Sequence, residues 1–162
     1  MVTRTAALLI GALVFALAAN AGELPGRSRG ETVYVPAYSH IYHGNLDGKG
    51  RPQVVLLSSM LSIRNVDPNH GITVSSVRYY DNDGKLLREY YEAPLTLGPL
   101  GSTDVFVEHR DSAGGAGANF LVVWDSRTPV NPPIVETVNS YFFGGQFGIF
   151  ASRGRAIHPG GD

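Results

Sequence analysis

The residues best placed to do chemistry lie in the stretch YSHIYHGNLDG. His40 and His43 stand three apart, with Asn45 and Asp47 just beyond them. Imidazole nitrogen and carboxylate oxygen are the donor set of zinc and similar ions. That spacing works against a shared ion on a strand, where residues three apart point to opposite faces. A metal centre from His40, His43 and Asp47 therefore requires the backbone to turn between them. Otherwise the two imidazoles are ordinary surface or core-edge groups, which is the reading adopted. His70, His109 and His158 are isolated, and no HExxH occurs.

Nucleophile chemistry has less support. There is no G-x-S-x-G elbow, no cysteine, and no sequence signature of a triad, which is defined by geometry. Asp104 and Glu108 have the even spacing that puts two carboxylates on one strand face, which a solvated face explains as well. Gly114-Gly115-Ala116-Gly117 lacks the Lys-Ser/Thr of a phosphate loop and opens no helix pattern, so it reads as a loop needing positive φ or close packing. Asp81-Asn82-Asp83-Gly84 could suggest calcium, but an EF-hand register would put Tyr79 first and Tyr90 twelfth. It lies between two strand patterns and reads as a hairpin turn. No cofactor is implied.

Aromatic residues are the more suggestive set. The neighbours Tyr79/Tyr80 and Tyr90/Tyr91 put one ring on each face of a strand, so one ring per pair lies outside the core. Tyr42, Tyr80 and Tyr90 are the candidates for binding through exposed rings, with cross-strand pairing as the simpler use. Arg153 and Arg155 flank Gly154 and could hold an anion or discourage edge pairing.

These residues are positioned by strands. Residues 53–91 read as three strands and two turns. Alternation in residues 53–65 turns Ser59, Leu61 and Ile63 inward. Pro68 stops that strand in a loop that Asp67, Asn69 and Gly71 can shape. In residues 72–80 the apolar spacing runs two, three, two, predicting a β-bulge at Ser75-Ser76. The third strand of the unit is 85–91, and further strands are expected over residues 31–35 (an edge strand ending at Pro36), 38–42, 102–109, 119–125 (apolar throughout, hence central), 134–143 and 148–157. Leu95, Leu97 and Leu100 are expected to pin the crossing loop 93–101, and residues 127–133 to turn the chain. The total is eight or nine strands and no helix pattern after residue 21. The fold class is all-β: an immunoglobulin-like antiparallel β-sandwich, with a closed barrel as the alternative.

Residues 1–21 have a different character. Arg4, an apolar run over 6–19 and Ala19-Asn20-Ala21 form a secretory signal pattern. As a helix the run would be about 21 Å long, against a hydrocarbon core of roughly 30 Å. Cleavage after Ala21 is expected, then a flexible lead-in over 22–30, a single domain over 31–157 and a tail over 158–162. The expected address is periplasmic or secreted. Without cysteine the domain holds together by burial alone. A net charge of −1 and 17 % charged residues give no basic stripe, which argues against nucleic acid as a partner.

Five segments carry a resemblance: TVYVPAYSHIYHG (32–44), SIRN-DP (62–68), VRYYDNDGKLLREY (77–90), GGAGANFLVVW (114–124) and SRGRAI (152–157). Through them the chain resembles a bacterial family of exported proteins of unknown function. The resemblance implies no activity. It includes members anchored by lipid on a cysteine that this chain lacks. The rhythm after Asn131 is also similar to immunoglobulin-like domains of the desiccation-protein type, an analogy of fold alone. The expectation is a non-catalytic binding or structural module for an unknown protein or envelope component, with a metal-binding protein or a hydrolase as the alternatives.

Overall fold

Alternating side chains on paired strands build two antiparallel sheets whose apolar faces meet. The computed structural model describes residues 26–158. The signal segment 1–21, the start of the lead-in and residues 159–162 lie outside the described residues.

The larger sheet contains β1 (Ser28–Pro36), β5 (Ile72–Tyr80), β6 (Leu86–Glu89), β7 (Leu95–Leu97), β9 (Asn119–Val130) and β12 (Arg155–Ile157), in the order β12-β1-β9-β5-β6, with β7 also on β5. The smaller contains β4 (Ser58–Arg64), β8 (Ser102–Val107), β10 (Ile134–Phe143) and β11 (Gln146–Arg153), in the order β11-β10-β4-β8. A ribbon of β2 (His40–His43) and β3 (Gln53–Leu56) continues from β4. Every pairing is antiparallel. The arrangement is an all-β sandwich.

Val35, Val74, Val77, Tyr79, Phe120, Val122 and Trp124 from the larger sheet are closed off against Leu61, Ile63, Val107 and Val135 from the smaller. β9 is central, as its apolar run predicts. The bulge falls where the spacing slips: Val74 pairs with Trp124 and Ser76 with Val123, leaving Ser75 as the extra residue. That slip keeps both Val74 and Val77 buried. Asp81–Gly84 is a hairpin turn, with Gly84 at φ +76° and the Asp81 carboxylate accepting from the N–H groups of Asp83 and Lys85.

Among the described residues twelve strands replace the expected eight or nine. Residues 53–65 divide at buried Leu57, whose N–H leaves the ladder to bond the Ser39 carbonyl at 2.9 Å. Residues 148–157 divide at Gly154, and the two halves join different sheets. β1 is no edge strand: it lies between β9 and β12, Pro36 is its last residue, and it begins at Ser28, inside the segment read as lead-in. Of the three leucines expected to pin the 93–101 crossing, only Leu97 is buried; Leu95, at the far end of the same short strand, and Leu100, in the turn beyond it at φ +58°, are exposed. Residues 127–130 extend β9 rather than turning the chain.

The glycine loop uses both properties expected of it. Gly115 has φ +77°, and Gly114 lies so close to the core that a β-carbon would sit 2.0 Å from Tyr79 Oη and 2.7 Å from the Ala118 β-carbon. The Tyr79 ring is held against Phe120, with centroids 4.8 Å apart, and its hydroxyl bonds Ser39 Oγ at 3.0 Å. Gly114→Ala must displace that ring and is expected to cost about 2 kcal/mol, read by urea denaturation. A change within ~0.5 kcal/mol, the scatter of surface substitutions, would show that the loop gives way instead.

Candidate functional site

The groups weighed as metal ligands, His40, His43 and Asp47, are held apart by their own local contacts. His40 and His43 sit on β2 three residues apart, and the ribbon does not turn between them. His40 packs edge-on to Tyr42, with ring centroids 5.2 Å apart. Asp47 is committed to its own loop: it accepts from the N–H groups of Arg51 (3.0 Å) and Lys49 (2.8 Å) and pairs with the Arg51 guanidinium at 2.9 Å. The Arg51 N–H foremost, then that of Lys49, hold its carboxyl below the usual range. Among the described residues no three His, Cys, Asp or Glu side chains form a group able to hold an ion.

Asp104 and Glu108 are exposed on one face of the β8 segment with Phe106 between them, as a solvated face would be. Asp111 instead meets Arg88 at 3.5 Å. Tyr90 packs against Phe120 at a centroid distance of 6.0 Å, under the Arg88 guanidinium; burial raises its hydroxyl pKa. Tyr80 is half-buried on the outer face of the larger sheet, opposite Leu86. Arg153 and Arg155 are exposed at the edges of two different sheets, which suits the edge-protecting role and separates them as an anion pair. Of the tyrosines singled out, Tyr42 alone is largely exposed.

Tyr42 belongs to a larger feature. Register places Phe106, Met60, Val138 and Ala151 in one row across β8, β4, β10 and β11. The next rows hold Ser58, Ser140 and Ile149, then Phe142 opposite Phe147. All point outward from the smaller sheet. Phe142 is 78 % exposed, Phe147 63 %, Ile149 59 % and Phe106 56 %. Past buried Leu57 the same parity holds on the separate β2–β3 ribbon, where Leu56 and Val54 are exposed and Tyr42 lies opposite Val54. A shallow depression of about 320 Å³ within it is lined by Leu56, Phe142, Phe147 and Tyr141 together with the polar Ser58, Ser140 and His109. Arg64, Glu136, Arg153 and Asp104 border one end, with Arg64 and Glu136 4.0 Å apart.

The hairpin carrying this face is built for it. Gly144 and Gly145, at φ +57° and +79°, make the tight connection whose twist matches its strands. Gly148 has no side chain because the Tyr141 ring lies across it; a β-carbon there would be 2.2 Å from Tyr141 Cε1. The exposure of this hairpin is absent from the sequence reading, although Phe142-Phe143 carries the signal used for Tyr79/Tyr80: adjacent aromatics on a strand cannot both face inward.

Fold and surface together define a β-sandwich with one sheet face left largely apolar. The chain belongs to the family described as "Protein of unknown function (DUF3124)", whose model matches residues 30–157. No curated protein matches it. It is similar to a solved structure, the crystal structure of Thermotoga maritima 1070, at 10 % identity and a TM-score of 0.44, over 80 % of this chain and 94 % of that one.

Proposed function

We propose that this protein is an exported, non-catalytic module of the cell envelope that acts by holding a partner against the outer face of its smaller sheet. The observation that carries the reading is that face. The solvent side of an antiparallel sheet is ordinarily polar, and a contiguous exposed apolar surface marks an interaction site. Export is supported by Arg4, the apolar run over 6–19 and Ala19-Asn20-Ala21. Among the described residues no helix is long and apolar enough to cross a membrane.

Two measurements test it. Cell fractionation with N-terminal sequencing is expected to find the chain outside the cytoplasm, beginning at Gly22; an intact chain in the cytoplasm would refute the address. A photoreactive side chain at Phe142 is expected to give a discrete crosslinked product in cells. Phe147→Ser should abolish that product while shifting stability by no more than ~0.5 kcal/mol, since its ring is solvated. No product, or one indifferent to Phe147, would refute the use of this face.

A further inference from the structure

We infer that the partner on this face is a second copy of the same chain, packed sheet against sheet about a two-fold axis; this rests on the proposed use of the face for binding. The first argument is area. Taking ~200 Å² per buried aromatic side chain, Phe142, Phe147 and Phe106 alone leave about 400 Å² uncovered. With Ile149, Leu56, Val54 and Tyr42 the face presents roughly 800 Å², the share one partner contributes to a standard interface. That exceeds the ~300–600 Å² of the largest patch on a typical monomer.

The second argument is charge. An isologous interface brings each surface against itself, so a border of one sign would repel its copy. This face carries Arg64 and Arg153 together with Glu136 and Asp104 at one end, and Glu108 beside Phe106, so both signs are present. Each arginine can therefore meet an acid of the other copy around an apolar centre, which is the usual layout of an interface. The face is also nearly regular: β4, β10 and β11 pair without a register shift. A pleated surface of that kind packs on its like at about 10 Å, as sheets do inside a sandwich. A second copy would supply the missing layer.

Sedimentation of the exported chain, purified from the cell, tests this. A species of twice the monomer mass is expected at concentrations from about 1 to 50 µM. Ile149→Lys and Phe106→Asp lie on opposite sides of the face. Each is expected to weaken self-association about 30-fold or more, as loss of a central anchor does, with the far-UV circular dichroism of the folded chain unchanged. Leu86→Lys, equally exposed in kind but on the larger sheet, should leave the dimer intact.

A wild-type chain that sediments as a monomer throughout, or a dimer indifferent to both variants, overturns the inference. A monomer that still gives a crosslink from position 142 to another protein, or that sediments with phosphatidylcholine vesicles, assigns the face to that partner instead. The binding reading then survives and the second copy does not. A monomer with no crosslink and no vesicle binding removes both.

Discussion

Gly154→Ala is expected to destabilise the protein by about 3 kcal/mol, lowering its melting temperature by roughly 10 °C. The reason lies in where the chain crosses from one sheet to the other. β11 ends at Arg153 on the smaller sheet, and β12 begins at Arg155 on the larger. Gly154 makes the crossing pressed into the seam between them. A β-carbon there would sit 2.6 Å from Val33 Cγ1, 2.7 Å from the Val135 carbonyl oxygen and 3.1 Å from Val35 Cγ2. The residue cannot back away cheaply, because its own N–H bonds that Val135 carbonyl at 2.7 Å. Relief of the clash means either losing that bond or moving β1 relative to β10. Val33 and Val35 are core residues, so such movement opens a close-packed interior. Denaturant unfolding with an unchanged slope is the measurement. A loss below ~1 kcal/mol, small for overpacking of a core, would show that the crossing is slack.

Asp67→Ala is expected to be comparably damaging, with a fall in melting temperature of about 10 °C or more, because three backbone N–H groups from two segments meet at one buried carboxylate. Oδ1 accepts from the N–H groups of Asn69 and His70, each at 3.0 Å, and lies 3.1 Å from His70 Nδ1. Oδ2 accepts from the N–H of Asn131 at 3.1 Å, across the β9–β10 connection. Asn65 beside it donates to the carbonyls of His70 and Gly98, each at 2.8 Å, and the Asp67 carbonyl takes the Leu100 N–H. Truncation leaves those backbone donors without their acceptor, and unsatisfied buried donors are costly.

The same contacts predict a pH dependence. The N–H of Asn69 first, then that of Asn131, with His70 assisting, hold the Asp67 pKa at about 2, well below the usual carboxylate range. A depressed carboxylate contributes stability that is complete above its unfolded pKa and is lost as pH falls through the folded one. Stability should therefore fall between about pH 4 and pH 2. Asp67→Asn, which has no charge to lose, should flatten that part of the profile. A wild-type slope left intact in the Asn variant would assign the acid sensitivity to other groups.

Much of the fold is written in local spacing. The two-three-two rhythm of residues 72–80 located a bulge because a buried face must be recovered after an extra residue. The run over 119–125 marked a central strand because neighbours cover it on both sides. Two other expectations failed for a shared reason. Residues 148–157 read as one strand, and Pro36 read as the mark of an edge. Alternation reports which side of a strand faces a core; it does not report which sheet the strand joins, or what pairs with it. Pro36 ends β1 and so costs its sheet no ladder bond between two neighbours. At the candidate site, the commitment of Asp47 to its own loop depends on Lys49 and Arg51 folding back on it, which residue type and spacing do not report.

Alternation, turn chemistry and family segments were thus enough to establish strands, turns and an all-β class, because each depends on residues within reach along the chain. Only the tertiary structure decided that Phe106, Met60, Val138, Ile149, Phe142 and Phe147 share one outward face. They come from four strands, and what unites them is cross-strand register, a relation between distant segments. The same is true of Gly154: its lack of a side chain matters because of Val33 and Val135, which folding alone brings beside it.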